Sequence, residues 1–193
     1  MKISGAQKLL KKYGVNIIGS VASLEAVLAM KRPLVLKADT DEHKTDKGLV
    51  FVDLHTDEEI KNAFKKISKV ADVFAQPLIR GEEMIVGVVE DPTFGKMLMF
   101  GAGGILTEIY KDTSFRLPHL DKKEVNAMIA DTEISKVLEG FRGKKVNKSA
   151  LIDLILAVSK FAIKESDHFK ELDLNPVIVN QEGVFVVDVR LLI

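Results

Sequence analysis

The residue pattern predicts a mixed α+β chain of two lobes, built of mostly antiparallel sheets with packed helices, and three observations lead there. Short β-rich runs separated by Gly, Pro and Asp turns dominate from residue 73 onward, spaced too closely for helical crossovers and therefore antiparallel. Amphipathic helical stretches precede and follow those runs. With 47% hydrophobic residues in 193, the chain has material for a core and no composition of disorder. No low-complexity tract, repeat or linker divides it, and the lobes are expected at 1–78 and 79–193.

The elements follow in order. Ser4 and Gln7 read as a capping box for a helix carrying Ala6, Leu9, Leu10 and Tyr13, stopped at Gly14. Leu24, Val27 and Leu28 mark a short second helix, ended by Pro33. LVLKA (34–38) reads as a buried strand with Lys37 near its end. DTDEHKTDKG (39–48) has no apolar residue and is expected as a surface loop. LVFVDL (49–54) returns to strand composition. Thr56 with Glu59 then caps a helix whose inner face holds Ile60, Ala63, Phe64 and Ile67. Strands are expected at 73–79, 84–90, 96–100 and 105–110. Helices follow through Val125, Met128 and Ile129, and through Leu151, Leu154, Ile155, Val158 and Phe161. ELDLNPVIVN and GVFVVDVR close the chain as two strands joined at residues 181–183.

Charge narrows the function. Lys plus Arg and Asp plus Glu each number 28, so a nucleic-acid binder held by phosphate neutralisation is not expected. The absence of cysteine excludes disulfides, thiolate metal sites and a Cys nucleophile together. Neither a signal-peptide core nor a membrane-length apolar run occurs, so no membrane partner and a cytoplasmic protein are expected.

Four clusters combine polar chemistry with backbone freedom. Lys37 lies beside the loop of His43, Lys44, Thr45, Asp46 and Gly48, where a strand-end Lys suits a phosphate and a loop His suits a nucleophile or base; charged loops are also commonly just solvated. GAGG (101–104) permits close approach to a ligand, or a glycine hairpin, but lacks the dinucleotide-binding spacing. In ELDLNP, strand alternation puts Glu171, Asp173 and Asn175 on one face, and Asp188 is expected on the adjacent strand between Val187 and Val189. Acids on a β face cost stability unless paired or coordinating a cation; oxygen ligands suit Mg²⁺ held partly by nucleotide phosphates, while a salt bridge to Arg190 is the plainer alternative. His119 and His168 lack a ligand partner at helical spacing and are read as surface or capping residues.

The order of these clusters is more specific than any one of them. VLKADTDEHKTDKG resembles the strand Lys followed by HKSD or HKTD in the ATP-grasp part of NDP-forming acyl-CoA synthetases. DPTFG, GAGG, Glu108, Asp112 and Arg116 are similar to the family's central signature, and FRG (141–143), ELDLNP and VVDVR follow in the same order, from about residue 6 to the end. The resemblance implies an ATP-grasp fold holding nucleotide between two lobes, in the β subunit of an ADP-forming acetyl-CoA synthetase. It implies His43 as the phosphohistidine that passes phosphate to ADP to make ATP. Lys37 matches the phosphate lysine, and Gln76, Pro77, Leu78 and Ile79 match the hinge that lines the adenine. Gly48, Glu83, Gly101, Gly103 and Gly104 complete the implied nucleotide set; Asn175 and Asp188, with Asp173 beside them, match the Mg²⁺ ligands. A CoA-binding α subunit is the implied partner in a hetero-oligomer, because this chain carries no CoA-type dinucleotide domain.

Three departures accompany the match: Leu49 where a second Gly is usual, Gln76 where an acid is common, and a shorter region before Lys37. Leu49 and the shorter region keep a non-catalytic nucleotide-binding partner subunit in view, and Lys37, Asn175 and Asp188 would equally serve a succinyl-CoA-synthetase-like or other ATP-grasp ligase subunit.

Overall fold

The computed structural model describes residues 1–21, 23–40, 48–104, 112–140, 143 and 145–193, the side chains of 20 and 21 excepted. The chain forms two compact units, Met1–Gly5 with Ile18–Ile79, and Ala6–Ile17 with Arg80–Ile193. Residues 6–17, expected in the N-terminal lobe, therefore group with the second unit.

The first unit is a four-stranded antiparallel sheet with helices on one face. Its strands are β1 (Ser20–Val21), β2 (Leu34–Asp39), β3 (Val50–Leu54) and β4 (Asp72–Pro77), in the order β1-β4-β2-β3. Leu34, Leu36 and Ala38 of β2 and Val73 and Ala75 of β4 point into one core with Val27, Ile60, Ala63 and Ile67 of the helices Leu24–Leu28 and Asp57–Ile67. The second helix carries the expected capping box: Glu59 N–H donates to Thr56 Oγ1 at 3.2 Å, and Thr56 N–H to Glu59 Oε2 at 2.8 Å. The N–H groups of Thr56 and His55, both donating to Glu59 Oε2, hold the Glu59 carboxyl below its ordinary pKa.

Two expectations fail at the start of this unit. The first helix runs Ile3–Leu10, so Ser4 lies inside it and does not cap it; its N–H donates instead to Asp39 Oδ1 at 3.3 Å. Asp39, assigned to the polar loop, closes β2 and is 1% exposed. A helix-end amide from a distant segment satisfies that carboxylate, which local pattern does not reveal. Residues 41–47 of the expected loop lie outside the described residues.

The second unit is built on β5 (Glu82–Asp91), β6 (Gly95–Ala102), β7 (Thr113–Arg116), β8 (Glu171–Val179), β9 (Val184–Val186) and β10 (Arg190–Leu192). They pair antiparallel as β10-β8-β5-β6-β7, with β9 also on β8. Asp91 Oδ1 takes the N–H groups of Thr93 and Phe94 to turn the β5–β6 hairpin. β7 was not expected, since TSFR offers only one apolar residue; the expected strand 105–110 lies outside the described residues.

Helices Lys122–Ala130 and Lys148–Lys164 cover one face of this sheet, burying Met84, Val86, Val88, Leu98, Phe100, Leu172 and Leu174. Residues 6–17 join through Tyr13, which stands edge-on to Phe161 at 5.4 Å and donates its hydroxyl to Glu165. Ile17 also bridges Val186, and Gln7 Nε2 donates to the Ile17 carbonyl at 2.9 Å. No helix among the described residues is long and apolar enough to cross a membrane.

Ser159, 2% exposed on the apolar face of the long helix, takes the N–H groups of His119 and Leu120 at 3.2 and 3.3 Å. Ser159→Ala strands both donors, so urea unfolding should show a loss of about 1–2 kcal/mol; an unchanged midpoint would remove Ser159 as the anchor of that turn.

Candidate functional site

The candidate residues fall on the sheet faces opposite the two packed cores. In the first unit, alternation puts Val35, Lys37, Phe74 and Gln76 on the side opposite the core, with Lys37 directly across from Phe74 and Val35 across from Gln76. Lys37 and Gln76 are each only 3% exposed, and Lys37 Nζ sits 5.6 Å from the Phe74 ring centroid. Pro77 ends β4 across from Leu34, and Leu78 N–H donates to the Pro33 carbonyl at 2.8 Å. The unit ends at Ile79. Gly48 is exposed with φ +62°. His43 lies outside the described residues.

In the second unit the corresponding face carries Glu171, Asp173 and Asn175 of β8, the alternation that the sequence indicated. Gly87 stands directly across from Asp173 on β5; a Cβ there would meet the Leu172 carbonyl at 2.8 Å, so the two backbones approach where only glycine fits. An isolated glycine within the apolar run MIVGVVE was the available signal for this position.

Asp188 is placed differently from the expectation. VVDVR is not one strand: β9 ends at Val186, β10 begins at Arg190, and residues 187–189 form a break. The cause lies across the ladder. Leu174 and Val177 of β8 pair with Val86 and Met84 of β5, so Asn175 and Pro176 together form a bulge, and Pro176 has no N–H to donate. Val187 N–H reaches the Pro176 carbonyl at 3.3 Å, and Val189 N–H is taken by Asp188 Oδ1 at 2.8 Å. Val177 pairs with Val186 and Asp173 with Arg190, so the register is the same on both sides of the break and sets Asn175 across from Asp188.

Electrostatics make Asp173 the unusual member. Its Oδ1 is buried without a hydrogen-bond partner. Burial pushes its carboxyl up to about 6, helped by the charges of Glu171 and Asp188 and opposed by Arg190. A buried orphan oxygen beside a second acid and an amide oxygen is a donor set for a hard cation, and Mg²⁺ fits it. Among the described residues no three His, Cys, Asp or Glu side chains gather as a metal site, so this set supplies part of a coordination sphere, as suits an ion shared with phosphate.

The glycine cluster has protein neighbours. Gly101 lies within β6, and a Cβ there would meet the Asp112 carbonyl at 2.3 Å. Gly103 N–H donates to the Glu83 carbonyl at 2.7 Å, and a Cβ on it would lie 2.8 Å from Met84 N. Gly104 has φ +77° and sits against the Glu83 side chain. Close backbone packing thus accounts for Gly101 and Gly103, and the left-handed backbone for Gly104. Asp112 of the central signature takes the N–H groups of Glu133 and Ile134 at 2.7 and 2.9 Å, and Arg116 is bound to Asp131. His119 and His168 are exposed, and His168 lies 3.3 Å from Glu165.

The ATP-grasp domain family matches residues 2–193. The chain is 36% identical over 200 residues to acetate–CoA ligase [ADP-forming] II of Archaeoglobus fulgidus, covering 97% of this chain and 29% of that protein. It is 33% identical over 210 residues to the acetate–CoA ligase [ADP-forming] II subunit beta of Pyrococcus furiosus, covering 97% and 89%. Among solved structures it is similar to acetyl-coenzyme A synthetase 1 of Ca. Korarchaeum cryptofilum with coenzyme A and Mg-AMPPCP, its phosphohistidine segment pointing towards the nucleotide binding site. That match has a TM-score of 0.87 and 31% identity, over 100% of this chain and 92% of that one. The chain thus spans less than a third of the A. fulgidus relative and most of the length of the separate β subunit.

Burial raises the Asp173 carboxyl in the folded chain from its ordinary value to about 6. Its proton-linked stability is fully present below the unfolded value and lost as pH rises through about 6. In chelator, Asp173→Asn should therefore gain on the order of 1–3 kcal/mol at pH 8 and lose that gain near pH 4. Thermal unfolding across that range checks it, and a variant no more stable at pH 8 than at pH 4, relative to wild type, would contradict the buried-charge account.

Proposed function

The chain belongs to the ATP-grasp family, and from that premise we propose that it is the nucleotide-binding, phosphoryl-transferring β component of an ADP-forming acyl-CoA synthetase. The observation that carries this reading is the Asp173–Asn175–Asp188 set, with a buried carboxylate oxygen left for a cation. Asn175 and Asp188, with Asp173 beside them, would hold Mg²⁺. When bound, the ion supplies charge neutralisation for the nucleotide phosphates.

This chain's residues divide the remaining work. Lys37 is proposed to bind a phosphate as a point charge, held in place by strand pairing on both sides. The hinge Gln76–Ile79 is proposed to line the base. Gly48, Glu83, Gly101, Gly103 and Gly104 belong to the nucleotide set by resemblance, and the close backbone packing of Gly101 and Gly103 supports a rigid wall there. His43 is proposed to carry the phosphoryl group. A terminal oxygen of ADP forms a bond to phosphorus as the N–P bond breaks, and the imidazole nitrogen keeps the electron pair, giving ATP and neutral histidine. A CoA-binding α component, in a hetero-oligomer or the same polypeptide, is the proposed source of that group; the A. fulgidus relative, far longer than this chain, is consistent with the latter. A cytoplasmic location belongs to the same proposal.

Calorimetric titration with Mg-ADP tests the ligand set. Asn175→Ala and Asp188→Ala should each weaken binding about tenfold or more, the scale of one lost charge-assisted contact. Unchanged affinity in both would remove the assignment.

Incubation with Mg-ATP should place an acid-labile, base-stable phosphoryl group on His43, and His43→Ala should abolish the label while keeping nucleotide affinity within about twofold, since binding and transfer then separate. Labelling that survives in His43→Ala would show another acceptor, and lost nucleotide binding would make His43 a binding residue.

A further inference from the structure

Arg190 is a residue that the functional reading has not used. It opens β10 directly across from Asp173, and cross-strand partners share a face, so its guanidinium belongs with Glu171, Asp173 and Asn175 on the face opposite the core. An Arg across from an Asp ordinarily closes a charge-assisted, often two-pronged, hydrogen bond. Here it does not reach the buried oxygen: Asp173 Oδ1 has no partner at all, and Arg190 is exposed. The two charges nevertheless sense each other, since Arg190 is the one cation among the influences on the Asp173 carboxyl, against two anions. A surface ion pair would have satisfied both groups at little cost. Leaving them apart keeps an anion ready for a cation and a planar fork ready for an anion, within one cross-strand pair.

We propose that Arg190 is a phosphate-binding residue, taking the terminal phosphate of the nucleoside diphosphate whose metal is held by Asp173, Asn175 and Asp188. The inference rests on the functional reading above and adds the group that answers a problem it raises. A nucleotide diphosphate brought to a face of Glu171, Asp173 and Asp188 meets repulsion from three carboxylates. A guanidinium on the same face offsets it and matches phosphate oxygens with two parallel donors, which an ammonium cannot do. Neighbouring positions on this face, Ile85, Gly87, Met99 and Phe115, carry no charge, so Arg190 has no nearby substitute among them.

The experiment compares Mg-ADP and Mg-AMP by calorimetry on the full chain, using wild type, Arg190→Ala and Arg190→Lys. Arg190→Ala should lose roughly tenfold to a hundredfold in Mg-ADP affinity, as one charge-assisted contact predicts, with less than twofold change for Mg-AMP. Arg190→Lys should fall between, because it restores charge without the fork. Equal losses for both nucleotides, or an unchanged Mg-ADP affinity beside tight wild-type binding, would overturn the assignment of Arg190 alone. A wild-type chain that binds neither nucleotide would instead overturn the functional reading beneath it.

Discussion

The desolvated carboxylate of Asp173 is the constraint around which the second unit is arranged. Burying an ionised oxygen without a partner is costly, and the chain accepts that cost on a strand whose alternate residues build the core. Leu172 and Leu174 lie under the helices, which fixes the register of β8; a slip by one residue would turn the acids into the core. The apolar face thus determines where the polar face stands. That coupling explains why the long helix and its buried Val158 and Phe161 matter to chemistry on the other side of the sheet.

Two local irregularities shape the opposite face. Gly87 removes a side chain directly across from Asp173, and the Asn175–Pro176 bulge breaks the ladder across from residues 187–189. The break frees amide groups that a regular strand would have paired, and Asp188 uses one carboxylate oxygen on the Val189 N–H. Its carboxylate is thereby oriented by its own backbone and its position is set by register against Asn175. A bulge beside a site is a common way to re-aim a side chain, and here proline supplies it.

Most of this arrangement was legible because its signals are local. The capping box at Thr56 and Glu59, the helical stripe through Leu151, Leu154, Ile155, Val158 and Phe161, and the alternation of Glu171, Asp173 and Asn175 each depend on a few neighbouring residues. The misreadings share the opposite property. Ser4 looked like a cap because Gln7 lies at capping-box distance, whereas its actual partner, Asp39, sits 35 positions away. VVDVR looked like one strand because the proline that interrupts it belongs to another. Residues 6–17 carry a helical stripe that says which face is apolar but not which body it packs on; that was decided by Tyr13 meeting Phe161 and Glu165. β7 was invisible because its pairing with β6, not its composition, makes it a strand.

In the proposed reading, the cost of the unpartnered Asp173 oxygen and the affinity of the site are the same free energy seen from two sides. Any ligand that binds the folded chain and not the unfolded one stabilises it, and a cation at Asp173 offsets the burial, and the charges of Glu171 and Asp188, that raise its proton affinity. A fully paired Asp173, closed onto Arg190, would give a more stable sheet and a weaker site, since binding would first have to break that pair. Leaving the carboxylate and the guanidinium apart on neighbouring strands reverses this order: the cost is met on folding, from apolar burial beneath β8, and the arriving metal finds a carboxylate oxygen already desolvated while the phosphate finds a guanidinium already placed on the same face.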